Sequence, residues 1–98
     1  ILKHLYRTAG DMVWHQYVVM TPERARFRDY LMKNGVQTDV HYATPPHRQP
    51  CYAGTLGKLA LPVTDLIAAR VVSLPVTRCT SEEDASAIAK IINRYGND

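Results

Sequence analysis

The side chains able to do chemistry gather in one stretch, residues 35–52, which reads G-V-Q-T-D-V-H-Y-A-T-P-P-H-R-Q-P-C-Y. His41 and His47 stand six residues apart in it, with Tyr42, Arg48, Gln49 and Tyr52 close by. Imidazole and phenol both donate hydrogen bonds to hydroxyl or phosphate oxygens, so His41 and Tyr42 suit a polar ligand. Pro45, Pro46 and Pro50 stiffen the backbone that carries them. A polar strand tip running into a rigid loop is one way a fold presents side chains to a partner. Metal chemistry is not expected. His41, His47 and Cys51 space as H-x5-H-x3-C, which matches no closed four-ligand zinc pattern.

The elements around this stretch read as scaffold. Residues 1–20 fit a hairpin with turn chemistry at Thr8-Ala9-Gly10-Asp11, and His15 in its second strand reads as a hydrogen-bonded core or edge histidine. Thr21-Pro22-Glu23 offers an N-cap, a first-turn proline and an acid, so a helix starts there. Phe27, Tyr30 and Leu31 give its buried stripe, and Asn34-Gly35 ends it, with Gly35 as the left-handed residue. Residues 36–42 then alternate as a strand, Val36, Thr38, Val40 and Tyr42 on one face, Gln37, Asp39 and His41 on the other.

Beyond the loop, Leu61-Pro62 opens a second helix running to about Arg70, and Val71 to Leu74 is a short β-branched strand stopped by Pro75. Thr80-Ser81-Glu82-Glu83 predicts a capping box of Thr80 with Glu83. Ala85, Ile88, Ala89, Ile92 and Tyr95 follow at helical spacing. The order β-β-α-β-α-β-α predicts an α+β fold, a small, mostly antiparallel sheet with helices packed on one face. The Gln37, Asp39 and His41 side would look away from those helices.

Composition narrows the classes. Ninety-eight residues make a single domain, and 46% hydrophobic with 21% charged residues is ordinary for a globular chain. No apolar run reaches membrane-spanning length, and no signal-peptide pattern opens the chain. The net charge of +3 suits an anionic ligand, but Arg24, Arg26 and Arg28 point three ways on a helix and make no nucleic-acid stripe. Cys51 and Cys79 form neither a CxxC pair nor a disulfide framework, so a reducing, cytoplasmic setting is expected. A start at Ile1 instead of Met fits a piece of a longer protein.

Taken together, these segments resemble one family. Trp14 to Val19, Thr21-Pro22-Glu23-Arg24, the run 35–52, Val72-Ser73-Leu74-Pro75 and Thr80 to Glu83 are similar to the DegT/StrS nucleotide-sugar aminotransferases, a group of fold-type I pyridoxal-phosphate enzymes. The central motif is His41-Tyr42, Pro45, His47 and Gln49-Pro50-Cys51-Tyr52; Ala43 and Pro46 depart from the usual proline and Leu or Ile. The resemblance implies that residues 1–98 are the C-terminal small domain. A large domain outside this chain would bind pyridoxal phosphate and supply the Schiff-base lysine, leaving the fragment inactive alone.

It also implies an amino transfer, usually from glutamate, onto a keto-sugar carried by a nucleotide diphosphate, for lipopolysaccharide or related sugar synthesis, by a homodimer. Relatives that have replaced the lysine perform dehydration. His41 and Tyr42 inherit a contact to the sugar or diphosphate. His47 either joins that contact or ties the loop to its own backbone, and Arg48 is a further phosphate candidate. The alternative from another class is a free-standing α+β module binding a phosphorylated ligand or RNA.

Overall fold

The computed structural model describes Lys3, His4 and residues 13–97. The expected turn at 8–11 lies outside the described residues. Strands β1 (Lys3–His4), β2 (Tyr17–Met20) and β3 (Val71–Leu74) form one antiparallel sheet in the order β1-β2-β3. Helices α1 (Arg24–Lys33), α2 (Pro62–Arg70) and α3 (Glu82–Arg94) complete the fold. Two 3-10 turns, Pro46–Arg48 and Pro50–Tyr52, carry the proline-rich loop. The α+β class is as expected.

The core sits on one face of the sheet. Val19 pairs with Val72 across β2 and β3, and both join Phe27, Leu31 and Val36 in the buried cluster. Tyr30, Ile88, Ile91, Ile92 and Tyr95 close over it, so α1 and α3 share that face. The Tyr95 ring meets Phe27 edge-on at 4.9 Å, and the Tyr30 hydroxyl donates to the Ile91 carbonyl at 2.8 Å, tying α1 to α3. On the opposite face, Val18 pairs with Ser73.

Local chemistry moved three boundaries. The strand expected over 36–42 shrinks to a single antiparallel bridge of Asp39 with Ser73. The Asp39 and Ser73 backbones pair, so the neighbouring Val40 N–H and Thr38 carbonyl point away from β3; there Asp39 Oδ1 takes the first at 2.7 Å and the Arg28 guanidinium donates to the second at 3.0 Å. Side chains, not a further strand, cover that outer edge.

Helix α1 begins at Arg24, with Glu23 at its cap position, two residues later than Thr21 as N-cap would place it. Thr21 is buried; its N–H donates to the Arg70 carbonyl at 3.0 Å at the end of α2, and its hydroxyl accepts the Glu23 N–H at 3.3 Å just ahead of the helix. The capping box on α3 is Ser81 with Asp84, one residue along from the expected Thr80 and Glu83. Thr80 is already held in a turn by the Thr77 N–H and hydroxyl.

The exit from α1 follows expectation closely. The Gly35 N–H donates to Met32 and the Val36 N–H to Leu31, with Gly35 at φ +79°. This is a Schellman ending, and it drops Val36 onto Leu31 in the core. The chain direction toward His41 is set there.

Candidate functional site

Residues 37–41 run along the outer edge of β3, past the face opposite α1 and α3. The Asp39 and Ser73 backbones exchange both hydrogen bonds, at 3.1 and 2.8 Å, so their side chains emerge side by side. His41 Nδ1 lies 2.8 Å from the Ser73 hydroxyl. Its Nε2 stands 3.6 Å from Asp39 Oδ2. These groups open on a cleft of about 480 Å³ that Gln16, Gln37, Thr77 and His15 also line. Gln37, Asp39 and His41 turn away from α1 and α3, while His41 also borders a hollow against Thr64, Ile67 and Ala68 of α2. The expectation that they face away from the helices therefore holds only for α1 and α3.

Tyr42 follows His41 through a cis peptide and sits 71% exposed, its ring edge-on to the imidazole at 5.4 Å. It faces a second, smaller hollow with Pro45, Ile67 and Val71. His41 and Tyr42 thus stand together at the surface. His15, expected as a core or edge histidine, is instead exposed at the cleft, because β2 starts only at Tyr17.

His47 is placed elsewhere. It is buried in the first 3-10 turn, and its Nε2 lies 3.0 Å from Asp65 Oδ1 on α2. Of the two roles left open for His47, a tie is visible, but it runs to a helix 18 residues away and not to the loop's own backbone. Arg48 closes on the same carboxylate, Nη2 to Oδ2 at 2.9 Å and Nε to Oδ1 at 3.3 Å. The Arg48 hydrogen bond holds the Asp65 carboxyl below its usual range, with lesser help from the charge of Arg48 and from His47. Gln49 Nε2 donates to the Thr44 carbonyl at 2.8 Å, which closes the loop on itself.

Two residues at the centre of this arrangement escaped the sequence reading. Ser73 is the lone polar residue in Val-Val-Ser-Leu, and Asp65 lies in the first turn of α2. A polar side chain in a strand otherwise buried was the available signal for Ser73. Asp65 in the first turn of a helix looks like any acid favoured at a helix start.

Among the described residues no three His, Cys, Asp or Glu side chains come together as metal ligands. No helix among them is long and apolar enough to cross a membrane.

Residues 2–93 match the DegT/DnrJ/EryC1/StrS aminotransferase family. The chain is 38% identical over 95 residues to the dTDP-3-amino-3,6-dideoxy-alpha-D-galactopyranose transaminase of Aneurinibacillus thermoaerophilus, covering 95% of this chain and 26% of that protein. It is 39% identical over 67 residues to the dTDP-3-amino-3,4,6-trideoxy-alpha-D-glucose transaminase of Streptomyces venezuelae, covering 67% of this chain and 18% of that protein.

The crystal structure of DesV from S. venezuelae superposes with a TM-score of 0.88 at 27% identity, over 99% of this chain and 27% of that one. A Bacillus subtilis structure with bound PMP superposes at 0.75 and 26% identity, over 94% of this chain and 23% of that one. An α+β chain with this motif, this sheet and these relatives belongs to the DegT/DnrJ/EryC1/StrS aminotransferase family. It spans about a quarter of the length of the transaminase from A. thermoaerophilus.

The family and the PMP-bound neighbour imply dependence on pyridoxal phosphate. The described residues do not build a site for it. Lys33, Lys58 and Lys90 are all exposed, and none lines the His41 cleft. A Schiff-base lysine needs a pocket that desolvates it or places a charge beside it.

Proposed function

We propose that this chain is the C-terminal small domain of a nucleotide-sugar aminotransferase and forms one wall of the substrate site in the longer protein. His41 and Tyr42 contact the sugar nucleotide there, and His47 supports them by fixing the loop through Asp65. Pyridoxal phosphate, held by the remainder of that protein, supplies the electron sink for amino transfer from glutamate to a keto-sugar. The working form is a cytoplasmic homodimer, and the product feeds lipopolysaccharide or related sugar synthesis. Residues 1–98 alone carry no activity.

One observation carries the reading of the site. His41 is oriented by Ser73 through one ring nitrogen, at 2.8 Å, while its other nitrogen faces a polar cleft. An imidazole fixed in this way offers a defined hydrogen-bond donor or acceptor without first losing rotamer freedom. The competing reading, a free-standing module for RNA or a phosphorylated ligand, draws no support from Arg48, whose guanidinium is engaged by Asp65.

The test is direct. The full-length protein, loaded with pyridoxal phosphate, is incubated with glutamate and a panel of dTDP- and UDP-linked 3-keto and 4-keto hexoses. Mass spectrometry should show conversion of one ketone to an amine. No conversion of any member, or dehydration instead, would contradict the proposal.

A further inference from the structure

The cleft holds more chemical information than a general polar wall. Ser73 is buried, 5% exposed as a residue, and its hydroxyl's partner is His41 Nδ1. Nε2 looks toward Asp39 Oδ2 across 3.6 Å. A carboxylate facing Nε2 favours the tautomer with its proton there, and the Ser73 hydroxyl rotates to donate to Nδ1.

Asp39 Oδ1 is already taken by the Val40 N–H, which leaves Oδ2 as the available acceptor. The 3.6 Å separation is too long for a good direct hydrogen bond. A donor and an acceptor therefore stand side by side at the cleft, each with capacity to spare. The imidazole is 27% exposed and the carboxylate 76%, so both are within a ligand's reach.

A hydroxyl group is the chemical complement of that pair. It accepts from the Nε2–H through its oxygen and donates its own proton to the carboxylate. Two hydroxyls on adjacent ring carbons do the same with one bond each. A phosphate oxygen cannot donate, and its charge is opposed by Asp39. Among the described residues lining the cleft there is no Lys or Arg to offset that repulsion; Gln16, Gln37 and Thr77 are neutral.

We propose that Asp39 and His41, oriented by Ser73, form a hydroxyl-reading pair, and that the group seated in this cleft is the neutral polyhydroxyl ring of the sugar nucleotide and not its diphosphate. This rests on the reading above that His41 touches that substrate. It adds Asp39 as a specificity-determining contact and Ser73 as a positioning residue.

The experiment compares two probes on the full-length protein by calorimetry. One is a nucleotide sugar (dTDP-glucose or UDP-glucose, whichever binds), and the other is the matching nucleoside diphosphate. Asp39→Asn keeps the Oδ1 acceptor for Val40 and should leave the fold intact. It should weaken sugar-nucleotide binding about tenfold, the scale of a hydrogen bond to a charged group. Nucleoside diphosphate binding should stay unchanged. Ser73→Ala should lower the same sugar-over-diphosphate ratio, a ratio that a general loss of stability does not move.

Equal losses for both probes, no change for either, or tighter diphosphate binding in Asp39→Asn would overturn the inference. If His41→Ala weakens the sugar nucleotide while Asp39→Asn does not, the inference fails and the proposed function stands. If neither sugar nucleotide binds the wild-type protein, both fall.

Discussion

His47, buried in the loop, places its Nε2 3.0 Å from the Asp65 carboxylate on α2, and Arg48 grips the second oxygen of the same group. One carboxylate thus fastens two consecutive loop residues to a helix, a short way downstream of His41 and Tyr42. Removing its charge should loosen residues 46–57 before it unfolds the domain. Asp65→Asn is expected to speed hydrogen exchange in that segment, with little change in α1 or β2. Uniform acceleration across the chain would show that the tie is global.

The same carboxylate predicts an acid response. Its pKa is lowered in the folded protein, chiefly by the hydrogen bond from Arg48. A depressed carboxyl contributes stability that is fully present above the unfolded value, near 3.9, and is lost as pH falls below it through the folded value. Wild-type protein should therefore lose more stability than Asp65→Asn as the pH falls from about 5 toward 3. Parallel acid titrations of thermal unfolding for the two proteins check this.

Gly35 holds a backbone conformation that glycine adopts freely and other residues do not. Its φ is +79°, and a Cβ built there would meet nothing within 4 Å. Gly35→Ala should thus destabilise by about 1–2 kcal/mol through conformation alone. Gly35→Asn should cost less, because asparagine tolerates the left-handed region. Denaturant unfolding of both variants separates this from steric clash, for which asparagine, the larger residue, would be the worse.

The start of α3 offers a test of register. Ser81→Ala removes the hydroxyl that accepts the Asp84 N–H and should cost about 1 kcal/mol. Glu83→Ala, at the position that a box starting from Thr80 would use, should stay within about 0.5 kcal/mol of wild type. The reverse order of effects would place the cap on Thr80.

How far the sequence reveals this molecule depends on whether an element is decided locally. Gly35 was readable because a helix exit with a left-handed residue is a local event, and so was Pro62 at the start of α2. The α3 cap was readable only to within one residue, since Thr80-x-x-Glu83 and Ser81-x-x-Asp84 both fit the pattern and the Thr77 hydroxyl decides between them.

The strand at 36–42 failed for a non-local reason: its length is set by pairing with β3, and that pairing reaches only Asp39, through Ser73. The site shows the same division. His41 and Tyr42 stand out by type, spacing and resemblance. Ser73 and Asp65 acquire meaning only when the fold brings them, 32 and 18 residues away, to His41 and His47.

The central claim is that this domain contributes His41 to a sugar-nucleotide site. The most direct measurement is the affinity of the full-length protein for a dTDP- or UDP-linked hexose, wild type against His41→Ala, with thermal unfolding confirming that the variant folds. The account predicts binding weaker by about tenfold or more, roughly 1.4 kcal/mol. Unchanged affinity in a folded His41→Ala protein would contradict it.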